Sequence, residues 1–195
     1  SMGHHLQKNI SEGQLFGLEN IYDHYLSEGA ANRMNVYLKE KWEKPGSRYH
    51  VMKEMFACLH KLEVLSADWP KKVRHYEKVL FGGGRKQYEA LHQYRMPDKI
   101  AEQLLSYFIY VYFAGAVYDG MPYSKVKLAV ISTMLIEDMV CAKAAEKGQL
   151  SFEAIADAAH SYAREVEHSD LNLQRLSIMF RHRKCFHIGR LCGAL

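Results

Sequence analysis

The sequence predicts an all-α fold: a single bundle of about seven to eight helices around a central antiparallel helical hairpin. Apolar residues recur every three to four positions along most of the chain, while strand-like alternation bounded by turn residues is nearly absent. Two long segments, 98–119 and 123–147, are apolar nearly all round and are joined by Gly120-Met121-Pro122, which turns the chain sharply. Helices of that kind need cover on nearly every side, so they belong together in the middle. With 195 residues, 48% of them apolar and 25% charged, the chain can build one substantial core. It holds no internal repeat and no low-complexity linker.

Residues 1–10, SMGHHLQKNI, read as a cloning remnant or a disordered end, ahead of one helical domain over 11–180 and a basic tail over 181–195. Ser11, with Gln14 three residues on, resembles a capping box that opens a helix through Leu15, Leu18, Ile21, Tyr22 and Tyr25. Met34, Tyr37, Leu38 and Trp42 mark a second helix, stopped by Pro45-Gly46. Ser47 caps a third, with a stripe of Val51, Met55, Cys58, Leu59, Leu62 and Leu65. Asp68 before Trp69-Pro70 supplies a capping oxygen and a proline in the first turn for a helix through Val73, Tyr76, Val79 and Leu80. Gly82-Gly83-Gly84 is then a flexible joint to a helical segment over 85–94; a phosphate-binding loop would need a preceding strand and a lysine with serine or threonine. Pro97 and Asp98 start the first arm of the hairpin, and Gly148 ends the second. Ser151 caps a helix through Ile155, Ala158, Ala159, Tyr162 and Val166, and a last helix through Leu171, Leu173, Leu176 and Phe180 runs into RHRKCFHIGR.

A formal charge of +4, spread along the chain, gives no reason to expect nucleic acid or an anionic membrane as partner. The longest apolar run, LLSYFIYVYFAGAVY, is about fifteen residues against the roughly twenty that span a bilayer, and tyrosines interrupt it. The cysteines at 58, 141, 185 and 192 show no C-x-x-C pair and read as reduced thiols of a cytoplasmic protein. Cys185, His187 and Cys192 lack a fourth ligand and match no zinc spacing, so no metal is expected.

The densest polar stretch is SYAREVEHSDLNL, where Tyr162, Arg164, Glu165, Glu167, His168, Ser169 and Asp170 crowd together. On a helix, Arg164 neighbours Glu167 and His168, and Glu165 neighbours His168 and Ser169. One reading is an ion-paired helix end, in which Ser169 caps the next helix and Asp170 complements its dipole. Another notes that Glu165-x-x-His168 has a twin in Glu89-x-x-His92. Together with Glu54 and Glu137, the two motifs match the ligand order of a ferritin-like di-iron carboxylate bundle. At the hairpin tip, Tyr118-Asp119-Gly120 serves as a helix stop, and Tyr107, Tyr110, Tyr112 and Tyr118 line either core or a pocket. Arg181, Arg183, Lys184 and Arg190 make a solvated end or meet an acidic partner, which leaves a non-enzymatic helical interaction module as a further reading.

Four stretches, KLEVLSADW (61–69), YFIYVYFAGAVYDG (107–120), KVKLAVISTMLIEDM (125–139) and GQLSFEAIADAAHSYAREVEHSDLNL (148–173), resemble in order and spacing the C-terminal half of the flagellin lysine N-methylase family. YAREVEHSDLNL closely resembles that family's C-terminal signature. The resemblance implies protein-lysine methyl transfer from S-adenosylmethionine, with flagellin or another protein as substrate. It implies an iron-sulfur cluster only in a cysteine-rich upstream region that has no counterpart here, so the chain is expected to be a C-terminal fragment or a shortened relative, inactive alone. The tail from Arg181 departs from the family pattern. Carried onto this chain, the resemblance makes Tyr162, Glu165, His168 and Asp170 the candidate catalytic residues and Tyr118 and Asp119 the candidate cofactor contacts. Such carboxylates and phenols would orient and deprotonate the accepting amine. No glycine-rich strand-turn-helix fingerprint is present, so a cofactor pocket here would have to be helical.

Overall fold

The central element is one long helix, Pro122–Lys147, which carries buried side chains on every face: Leu128, Ile131, Leu135, Ile136, Met139 and Val140 among the apolar ones, and Ser132 and Asp138 among the polar. In chain order it is α8. The computed structural model describes residues 2–14, 18–27, 29–30, 32–33, 36, 48–187, 190–191 and 194. Before α8 come α1 (Met2–Ser11), α2 (Leu18–Leu26), α3 (Arg48–Leu59), α4 (Trp69–Phe81), α5 (Gly84–Leu91), α6 (Asp98–Ala114) and the short α7 (Ala116–Asp119). After it come α9 (Phe152–Tyr162), a π turn (Ala163–Glu167) and α10 (Asp170–His182). Helices make up 81% of the described residues, among which no strand occurs, as the periodicity predicts.

The hairpin is present: α6 packs along α8, and α1, α3, α4, α9 and α10 cover the remaining sides of α8. Of the two arms only α8 is covered all round, however. Phe108 and Tyr112 are the buried residues of α6, while Tyr107, Ile109, Tyr110, Val111 and Phe113 remain exposed. Apolar composition alone cannot tell an axial helix from one whose outer face is bare, because both lack polar residues. No helix among the described residues is long and apolar enough to cross a membrane.

Local chemistry explains most boundaries. Gly148 closes α8 at φ +70°, and Ser151 accepts the Ala154 N–H at 3.2 Å to open α9, so a helix stop and a helix start lie within four residues. Asp68 takes the N-cap position of α4 but makes no capping bond. Its carboxylate pairs instead with Lys72 at 2.8 Å and approaches Arg164 at 3.6 Å. Ser11 ends α1 rather than opening α2, its hydroxyl donating to the Lys8 carbonyl. Residues 2–10, which fall in the stretch 1–10 read above as a cloning remnant or a disordered end, belong to α1, which lies against α8. The spacing of Leu6 and Ile10 suits that packing. The helix expected around Met34–Trp42 and the Ser47 cap fall outside the described residues.

The tail folds back on the bundle. Phe186 is buried edge-on against Phe180 at 4.8 Å, Leu191 and Ala194 are buried, and Arg183 reaches Glu54 at 3.3 Å. Lys127 of α8 pins α10 from within: its ammonium, pushed down in pKa by burial, donates to the Phe180 carbonyl at 2.7 Å and lies over the Tyr123 ring.

Candidate functional site

The signature stretch straddles the join between α9 and α10. α9 runs on into the π turn, in which His168 N–H donates to the Ala163 carbonyl at 3.0 Å, one residue further back than in an α-helix. Ser169 N–H then donates to Val166, so the Glu165 carbonyl is released from the helical ladder, and the Asn172 side-chain amide claims it at 2.7 Å. Ser169 caps α10 by accepting from Asn172 N–H at 3.2 Å, as its position in the sequence predicts.

Glu165 is completely buried. Its Oε2 accepts the backbone N–H groups of Leu65 (3.1 Å) and Ser66 (3.2 Å), and its Oε1 lies 3.5 Å from Arg164 Nε. Asn172, also fully buried, clamps Glu63 from both sides: Oδ1 accepts its N–H at 2.7 Å, and Nδ2 donates to its carbonyl at 3.0 Å. In the connection between α3 and α4, the backbone groups of Glu63 and the N–H groups of Leu65 and Ser66 are thus satisfied by Glu165 and Asn172. The stretches KLEVLSADW and YAREVEHSDLNL are two halves of one hydrogen-bonded unit.

Tyr162 points elsewhere, into the core. Its hydroxyl lies 2.5 Å from Ser132 Oγ, and because Ser132 donates onward to the Leu128 carbonyl (2.7 Å), the phenol is the donor. The Tyr112 hydroxyl is buried beside this pair, and burial pushes both phenols well above the usual tyrosine range. Phe108 sits edge-on to Tyr162 at 5.8 Å. Glu167 takes the Tyr107 hydroxyl at 2.5 Å at the rim. His168 and Asp170 are exposed.

The six candidate residues therefore separate into three settings. Tyr162 and Glu165 face the interior and bind different elements, and His168 and Asp170 face out. At the hairpin tip Tyr118 is 93% exposed, while Asp119 closes a turn onto Met121 N–H (2.9 Å) and pairs with Lys125 (2.7 Å). As a cradle for S-adenosylmethionine this set does not fit: Tyr162 and Glu165 Oε2 are engaged with the protein, Glu165 Oε1 is sealed in the interior beside Arg164 Nε with no hydrogen-bond partner, and Tyr118 stands in solvent with no enclosing wall.

A second polar cluster went unnoticed in the sequence. Arg48 of α3 donates to Glu137 (2.6 Å) and Asp138 (3.0 Å) of α8 and to the Tyr88 hydroxyl (3.3 Å), which donates to the other oxygen of Asp138 at 2.8 Å. His92 Nδ1 meets the Tyr88 carbonyl at 2.9 Å, so that nitrogen carries the proton and Nε2 faces Asp138 at 3.6 Å. Burial alone would lower the Arg48 pKa, but Asp138 and Glu137 outweigh it and hold the guanidinium charged. The available signal was Glu137-Asp138 itself, since two acids within a helix apolar all round must find buried partners.

This pairing bears on the di-iron arrangement. Glu137 is taken by Arg48, Glu54 by Arg183, Glu89 by Arg85 and Glu165 by backbone amides. Among the described residues no three histidine, cysteine, aspartate or glutamate side chains group closely enough to hold a metal ion.

Comparison with curated proteins and with solved structures gave no match. A family model described as the FliB lysine N-methylase C-terminal domain matches residues 1–194, spanning α1, the hairpin, the signature unit and the folded-back tail alike. The chain belongs to the family of FliB lysine N-methylase C-terminal domains.

Proposed function

We propose that this chain is the substrate-handling helical domain of a protein-lysine N-methylase that acts on flagellin, with the methyl donor, S-adenosylmethionine, bound outside it. The family match over 1–194 carries the reading. The burial of Tyr162 and Glu165, and the commitment of the Tyr162 hydroxyl and Glu165 Oε2 to internal hydrogen bonds, support the division of labour, since groups sealed in the bundle are not available to a reacting amine. Attack on a methyl sulfonium requires a neutral amine held in line, so a domain that positions a protein segment contributes through orientation. On this reading the exposed His168 and Asp170, next to the signature unit, are the groups that touch such a segment.

Two measurements test this. Calorimetric titration of the folded chain with S-adenosylmethionine is expected to show no saturable binding; saturable binding lost in Glu165→Ala would move the cofactor into this domain. In a full-length family member, His168→Ala combined with Asp170→Asn is expected to raise KM for flagellin about tenfold with kcat little changed. A fall in kcat at unchanged KM would make these residues part of the chemistry instead.

A further inference from the structure

Residues 103–118, QLLSYFIYVYFAGAVY, include no charged side chain. The inward side of this run, Phe108 and Tyr112, is buried against the bundle. The outward side leaves Tyr110 83% exposed, flanked by Tyr107 (48%), Val111 (39%) and Phe113 (37%), with Tyr118 (93%) beyond Gly115. Aromatic side chains present about 150–250 Å² each, so these residues leave on the order of 500 Å² of largely apolar surface in one ridge. That is near the top of what a monomer keeps as a single patch. It is also more than half of the roughly 800 Å² that each partner brings to a stable interface.

The chemistry of the ridge restricts its occupant. The run itself offers a charged segment no opposite charge, and the carboxylate at its rim, Glu167, is taken by the Tyr107 hydroxyl. A two-fold contact brings each residue near its own copy, which penalises any charge at the axis and suits a face without one. Ser106 and Ala114 lie one turn to either side of Tyr110, small side chains that leave its ring prominent on the ridge. We propose that this ridge is the interface of a homodimer, with α6 packed on α6 of a second copy and Tyr110 at the two-fold axis. The inference does not depend on the methylase reading.

Sedimentation velocity of the 195-residue chain across a hundredfold concentration range tests it. The expected result is a monomer–dimer equilibrium that Tyr110→Glu weakens at least tenfold, with a cooperative thermal melt that matches the parent chain at dilutions where both are monomers, because Tyr110 is mostly in solvent. A chain that stays monomeric throughout overturns the proposal, as does a dimer that Tyr110→Glu leaves intact. Should the glutamate variant lose its cooperative melt, Tyr110→Cys decides: oxidation should give a disulfide-linked dimer through position 110, and failure to do so refutes the axis.

Discussion

Glu165 is fully buried, and its carboxylate is met by two backbone N–H groups from a connection a hundred residues earlier in the chain. Hydrogen bonds to a charged group contribute about 1.5–3 kcal/mol each, and leaving the donors unpaired adds to the loss. Glu165→Ala should therefore destabilise the fold by about 3–5 kcal/mol. Glu165→Gln, which keeps an acceptor oxygen, should cost about 1–2 kcal/mol. Denaturant unfolding of both variants checks this, and equal losses would mean that the charge rather than the acceptor holds the loop. The sequence brought out Glu165 for its neighbours His168 and Ser169, and the structure gives it other partners. Spacing along a helix reports contacts within one turn only, and Leu65 and Ser66 are invisible to it.

At the scale of elements, caps and stops were the most legible features. Ser151, Ser169 and Gly148 stand where local chemistry puts them, since each satisfies orphan groups of its own helix. Gly148 sits at φ +70° with nothing within 4 Å of where a Cβ would be. Gly148→Ala should thus cost only the backbone penalty of about 1 kcal/mol, and Ser151→Ala about 1 kcal/mol for the lost cap. Chemical denaturation of each should show these small losses with the slope unchanged; a much larger loss for Gly148→Ala would reveal hidden crowding at the turn. The π turn was not legible. Its extra residue is stabilised by Asn172 taking the freed Glu165 carbonyl, an interaction that exists only once α10 has folded back across the turn.

Across the whole molecule, buried phenols make the bundle sensitive to alkali. Burial, reinforced by Asp157 and Glu146, pushes Tyr76 up to about 12, and burial also raises Tyr88, Tyr112 and Tyr162. A folded-state pKa above the unfolded value means that the folded state holds its proton longer. The contribution is complete below about pH 10 and is lost as pH rises toward 12, up to about 3 kcal/mol for Tyr76 alone. Stability measured at rising pH should be flat to about pH 10 and then fall steeply, with tyrosinate absorbance appearing together with loss of helix. Gradual ionisation in a still-folded protein would place these phenols in contact with solvent.

Read by itself, the sequence determined the helical class, the core stripes, most helix ends and the kinship with lysine N-methylases, because each depends on residues within a few positions or on short stretches kept in order. The tertiary structure alone decided which acids are buried and which helix is axial. Glu165 and Asp138 sit inside because distant groups, Leu65 and Ser66 for one and Arg48 and Tyr88 for the other, arrive opposite them. Burial of a charge is permitted only where such partners converge, and convergence belongs to the packed bundle rather than to any one segment.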